Sequence, residues 1–325
     1  MEFKLGFGPM SPLINDILAK YARDKQRPLM FIASRNQVDA ASGYVMTTAE
    51  LAQQLAPLRS PYLMLCRDHC GPYFLDSEKS LSESDAVKAT KRTIAADIEA
   101  GFDLIHIDTS RCSNGYATAE ELIKFALMVN PQIQFEFGTE ENVGVAAGVQ
   151  KYKDDVDFAK HFPNMRFVVA QTGSLTYEDR QAGSFEYDTV LKLVDYADVA
   201  GVGLKEHNAD YLTAEEIALR RSAGVHALNI APQLGVIQTN TVLSLAQEHD
   251  VDSSEFRQRV IDSGKWTKWT ESADADLRVK VAGHYLFNSA EYNELEERLS
   301  LECDVIKAVQ ENIESCLDLY YTNLY

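Results

Sequence analysis

Short apolar runs alternate with longer amphipathic ones eight times along this chain. A parallel strand covered on both faces reads as a continuous apolar stretch, and it needs a crossover helix before the next one, so the alternation is that of βα units. The strand candidates are residues 4–7, 29–33, 62–66, 104–108, 133–137, 167–170, 202–205 and 227–230. Between them lie helix starts and stops. Ser84 or Asp85 leads an Ala-rich run ending at Gly101, Thr118-Ala119-Glu120-Glu121 opens another helix, and Thr213 leads residues 214–217 towards a stop at Gly224. Eight such units predict an α/β fold, a (βα)8 TIM barrel, rather than an open doubly wound sheet. The first turn reads Gly6-Phe7-Gly8-Pro9-Met10-Ser11, and its proline breaks a dinucleotide fingerprint; with no P-loop either, a kinase reading is set aside. Beyond Val251 the chain is charged and helical, with Trp266, Trp269 and Tyr285 as anchors. Residues 1–325 are thus read as one barrel domain, with 251–325 a helical C-terminal extension packed on it.

The net charge of −18 argues against nucleic acid or an anionic membrane as partner, because a phosphate surface would be repelled. An anionic substrate must then be met by local cations, for which Arg35, Arg67 and Arg111 stand after strands 2, 3 and 4. No signal-like run opens the sequence and no eighteen apolar residues are consecutive, so a cytoplasmic location is expected. Cys66, Cys70, Cys112, Cys303 and Cys316 include no CxxC pair, so reduced thiols are expected.

In a TIM barrel the reacting groups come from the C-terminal strand ends. Those ends carry Ser34-Arg35-Asn36-Gln37, Arg67-Asp68-His69-Cys70, Asp108-Thr109-Ser110-Arg111, Glu136-Phe137-Gly138-Thr139-Glu140, Gln171-Thr172-Gly173-Ser174, Lys205-Glu206-His207-Asn208 and Asn229-Ile230-Ala231-Pro232. His69 and His207 each stand beside a carboxylate, and converging imidazoles with a carboxylate suit a divalent metal that polarises a carbonyl. His106, inside strand 4, reads as core; His161, His226 and His249 read as surface; His284 could reach the cleft from the tail. Lys205 ends an apolar strand, where a desolvated amine would permit Schiff-base chemistry, although an ion pair or substrate contact is the plainer reading.

These residues resemble the class II, metal-dependent aldolases of ketose bisphosphates, and more closely the tagatose-bisphosphate aldolase subunit often called non-catalytic. The resemblance runs through Ala33-Ser34-Arg35-Asn36-Gln37-Val38, Asp68-His69-Cys70-Gly71-Pro72, Ile105-His106-Ile107-Asp108-Thr109-Ser110, Glu206-His207-Asn208-Ala209-Asp210, Ala227-Leu228-Asn229-Ile230-Ala231-Pro232 and Gly283-His284-Tyr285. It implies Asp68 as the acid/base that moves the hydroxyl proton and His69 and His207 as metal ligands; Glu136, read from its strand end, is expected as a second catalytic carboxylate. His69, His207 and Glu136 would hold a divalent metal, zinc by preference. Ser34, Arg35, Asn36, Gln37, Arg67, Asp108, Ser110, Gln171, Lys205 and Asn229 would contact the sugar or sugar phosphate.

Two departures bear on function. Class II enzymes place a third histidine ligand after strand 6, where residues 171–179 hold none, leaving Glu136, Glu178 or Gln171 for that place. The phosphate cradle after strand 7 is replaced by Asn208-Ala209-Asp210, whose carboxylate would repel a phosphate. Two functions stay open: an aldolase or epimerase working by retro-aldol chemistry, and an accessory subunit that stabilises a separate catalytic aldolase. Homo-oligomerisation is compatible with either.

Overall fold

The computed structural model describes residues 2–41, 43–138, 144–145 and 148–325. Eight parallel strands close into a barrel in chain order: β1 (Leu5–Phe7), β2 (Leu29–Ser34), β3 (Leu63–Cys70), β4 (Leu104–Asp108), β5 (Gln134–Gly138), β6 (Met165–Ala170), β7 (Gly203–Glu206) and β8 (Ala227–Ile230), which pairs back with β1. The expected (βα)8 barrel is the fold observed. Each strand is followed by a helix: α1 (Pro12–Asp24), α2 (Thr48–Leu55), α3 (Glu83–Glu99), α4 (Gly115–Val129), α5 (Val149–Ala159), α6 (Tyr187–Ala200), α7 (Ala214–Ser222) and α8 (Pro232–Glu248). Thr213 caps α7 in a full capping box. Two helix starts fall earlier than expected because better caps lie upstream: the Ser82 side chain accepts from Asp85 N at the head of α3, and the Asn114 side chain from Ala117 N at the head of α4.

Strand geometry alternates side chains between interior and exterior. Met30 and Ile32 of β2, Met64 and Cys66 of β3, Leu104, Phe167 and Ala227 fill the barrel as one apolar cluster. Their sequence neighbours Phe31, Leu65 and Ile105, with Phe135 of β5, pack outward in the layer beneath the helices. The same parity carries polar residues of the upper interior: Ser34, Asp68, His106, Asp108, Glu136, Lys205 and Asn229 all share phase with those inner apolar residues.

Arginine side chains fall on the outer phase. Arg67, fully buried, forms two 2.6 Å bonds to Asp97 of α3 and donates to the carbonyls of Ala33 and Val38. Arg35 is bound to Glu78 at 2.6 Å and reaches Asp39 at 3.3 Å, while Arg220 holds Glu206 at 2.7 Å. These pairs tie loops and helices to the strands.

The extension comprises α9 (Ser254–Asp262), α10 (Ala275–Ala282), α11 (Ala290–Ser300) and α12 (Val305–Leu324), with short turns at Lys265–Lys268 and Gly283–Leu286. Helix α12 packs against α7, α8 and α1. Its Tyr320 hydroxyl donates to Ala209 O at 2.7 Å and accepts from Leu212 N at 3.1 Å, fixing the loop after β7. Trp269 O accepts from Glu178 N, and Asn288 donates to Tyr44 O and Val45 O, so the loops after β6 and β2 are held as well.

Removing one member of a buried ion pair leaves the other uncompensated. Asp97→Ala is therefore expected to lower unfolding free energy by about 3–5 kcal/mol in urea denaturation. A loss below about 1 kcal/mol, the scale of an exposed pair, would contradict the buried role given to Arg67.

Candidate metal centre

Strand β3 runs four residues beyond its expected end, and its pairing with β4 shifts register between Arg67 and Cys70. In a regular strand Asp68 and His69 would face opposite sides. Here His69 adopts a left-handed backbone, φ 45°, and its ring joins that of Asp68's other neighbours at the barrel mouth. Gly71 permits the bend: a Cβ there would lie 1.5 Å from Asp108 O. From β4 comes His106, and His207 follows β7 directly.

The rings of His69, His106 and His207 form a nearly equilateral triangle, with centroids 5.2, 5.3 and 5.1 Å apart. Asp68 completes the group, and one ligand atom from each of the four lies within 4.8 Å of the others. Asp68 Oδ1 is 3.2 Å from His106 Nδ1 and 3.9 Å from His207 Nε2, while Oδ2 is 3.6 Å from His69 Nε2. Around this group stand orienting partners. Asp108 Oδ2 holds His69 Nδ1 at 2.7 Å, and Ser110 fixes Asp108 Oδ1 through its backbone N–H at 3.1 Å and its hydroxyl at 2.7 Å. Glu136 Oε1 meets His207 Nε2 at 2.6 Å and Oε2 meets Lys205 Nζ at 2.5 Å. The Asn229 amide lies 3.0 Å from His207 Nε2.

Burial disfavours charge here, and neighbours outweigh it at Asp68, His69 and Glu136 but not at His207. Asp68 is held well below the usual carboxylate range: burial raises it, but His69, His207 and His106 together outweigh that. His69 is pushed up to about 9, burial being overcome by Asp68 and Asp108. Glu136 is drawn down to about 2 by Lys205 and the histidines against burial, and burial lowers His207. Asp68, Asp108 and Glu136 thus face the Lys205 ammonium and a protonated His69, which leaves one net negative charge. A divalent cation in place of the His69 proton would cancel it. The donor set fits such an ion: three imidazoles, one carboxylate, and a buried His106 Nε2 without a hydrogen-bond partner.

His106, expected in the core, is the third imidazole. It sits two residues before Asp108, so strand alternation alone places both on the inner phase. Glu136 is not in the ligand-atom group; Lys205 and His207 claim its two oxygens, which makes it an orienting partner. Glu178 is also no ligand, since Arg180 and Thr270 bind it at the turn of a short hairpin after β6. Arg35 and Arg67 do not reach the mouth, because the outer phase locks each into buried carboxylates. Lys205 is fully buried one layer below the mouth, against Glu136. Asn36 is exposed in the loop after β2. Ser34 donates to Gln37 Oε1 at 2.9 Å on the β2 side of the mouth, and Gln171 lies buried just after β6. Thr139 and Glu140 fall outside the described residues. Asp210 spans the head of α8: its Oδ1 accepts from Ala231 N at 3.0 Å and Gln233 N at 2.9 Å. That helix N-terminus, where a TIM barrel commonly takes a phosphate, is filled by the chain's own carboxylate.

Residues 10–126 match the family model for D-tagatose-1,6-bisphosphate aldolase subunit GatZ/KbaZ-like proteins. Over that stretch, about a third of the chain, it is similar to GatZ/KbaZ-like proteins. Among solved structures, a probable tagatose 6 phosphate kinase from Sinorhizobium meliloti 1021 is similar at 16% identity and TM-score 0.84, covering 98% of this chain and 99% of that one. A fructuronate-tagaturonate epimerase, UxaE, from Cohnella laeviribosi is 11% identical with TM-score 0.65, over 98% of this chain and 81% of its own. A putative fructose-1,6-biphosphate aldolase from Coccidioides immitis is 16% identical with TM-score 0.57, over 99% and 92%. At these identities the structural likeness is one of fold.

Loss of a direct ligand and loss of an orienting partner should separate in a zinc titration. Glu136→Gln is expected to weaken binding of one equivalent by roughly 10–100-fold, and His106→Phe by more. Equal, parental affinity in the His106 variant would remove it from the donor set.

Proposed function

We propose that this chain is a metal-dependent enzyme that breaks, and in the epimerase case remakes, a carbon–carbon bond of a ketose or ketose derivative by retro-aldol chemistry. The observation that carries the reading is the convergence of three imidazoles on an ionised Asp68 at the barrel mouth. His69, His106 and His207 would hold the ion, and three neutral imidazoles suit zinc. The bound cation would supply positive charge for the carbonyl oxygen that takes up the electrons of the breaking bond.

Asp68 is kept as a carboxylate, the state a proton acceptor requires, and stands where it can take the proton of the hydroxyl on the carbon being released. The oxygen of that hydroxyl becomes the carbonyl of an aldehyde as the bond breaks, and the electron pair passes to the other fragment. In an aldolase the fragment that holds the electron pair takes a proton at carbon, Asp68 returns to its carboxylate, and both fragments leave. In an epimerase the aldehyde turns its other face, the bond re-forms, and Asp68 returns the proton. Asp108 and Glu136 orient His69 and His207, and Ser34, Gln37 and Asn229 line the mouth for sugar hydroxyls. Among the described residues no helix is long and apolar enough to cross a membrane, which agrees with a cytoplasmic sugar enzyme.

The likeness of residues 10–126 to an aldolase subunit favours a second reading, an accessory barrel for a separate aldolase. One substitution separates the two. Asp68→Asn keeps size and removes the base, so turnover of a ketose, ketose phosphate or hexuronate is expected to fall about a hundredfold or more, with fold and metal content retained. Activity that requires a partner aldolase and ignores Asp68 would establish the accessory role instead.

A further inference from the structure

The extension brings to the mouth a cation that no carboxylate among the described residues meets. Lys268 ends the turn Lys265–Lys268 with its side chain exposed, and among the described residues it forms no ion pair; its ammonium stands 4.7 Å over the Trp269 ring. Surrounding protein lowers its pKa first, and the like charges of Arg111 and Lys265 add to that. Its side chain is thus open to solvent, and its described charged neighbours are cations. In a chain of net charge −18, a cation with like-charged neighbours and no acidic one is an exception.

A second observation lies beside it. His284 is 1% exposed and neither ring nitrogen has a hydrogen-bond partner. It is held neutral, with a pKa of about 3, by burial and then by the Lys268 charge. The Trp269, Tyr44 and Tyr285 rings lie 6.2, 6.0 and 4.1 Å from it, and a Cβ on Gly235 in the first turn of α8 would come within 2.6 Å of it. A buried imidazole with both nitrogens unsatisfied is costly unless a ligand completes it. Towards the metal centre, Arg111 stacks at 4.2 Å on Phe74, whose ring in turn stacks on His69 at 5.5 Å. The cations therefore border the imidazole group, while the other anion-receiving feature of the mouth, the head of α8, is taken by Asp210.

We propose that Lys268, with His284 beside it, receives the anionic end of the substrate, a phosphate or a carboxylate carried on the sugar. The sugar part of this assignment rests on the retro-aldol reading; the anion site does not. Calorimetric titration of the full chain with tagatose, tagatose 6-phosphate and tagaturonate tests it. One of the two anionic sugars is expected to bind at least about tenfold more tightly than the neutral one, and which one does so assigns phosphate or carboxylate. Lys268→Met should abolish that preference and leave the neutral sugar's affinity unchanged, and Lys268→Arg should restore most of it. Equal binding of charged and neutral sugars by the parent, or a preference that survives in Lys268→Met, would overturn the proposal. A Lys268-dependent preference without turnover of any sugar would support the subsite while removing the retro-aldol reading.

Discussion

Charge inside a closed barrel has nowhere to be hydrated, so each inward-facing polar residue must find its counterpart on another strand. That requirement organises the molecule. Lys205 of β7 is neutralised by Glu136 of β5, and the same carboxylate turns to grip His207. Asp108 of β4 grips His69 of β3, and Asp68 is left facing three imidazoles. Because partners come from different strands, the group exists only when the barrel has closed. Its residual negative charge is what makes the mouth receptive to a cation.

The outer wall obeys the same rule with different partners. Arg35, Arg67 and Arg220 carry large fixed charges into the layer between strands and helices, and each meets a carboxylate there. They are consequently spent on architecture. The extension bonds the loops after β2, β6 and β7.

Much of this was legible from residues alone. The apolar runs marked every barrel strand, since a buried parallel strand shows the same signal whatever surrounds it. Asp68, His69 and His207 were legible because polar strand ends are unusual in an apolar pattern. His106 was not, because a histidine flanked by isoleucines reads as core; its two-residue spacing from Asp108 was the available signal. Arg67 misled for the opposite reason, standing at a strand end but out of phase with Cys66 and Asp68. The left-handed turn at His69 lies beyond any alternation rule, as it depends on the close passage of Gly71 against Asp108. Lys268 sits far from any strand in sequence, so its place at the mouth follows only from how the last helices pack.

Anomalous X-ray diffraction from crystals of the full chain grown with zinc addresses the central claim most directly. The expected result is a single strong peak at the barrel mouth within bonding distance of His69, His106 and His207, with Glu136 still bound to Lys205. A fully formed barrel whose three histidines hold no peak at saturating zinc would contradict it.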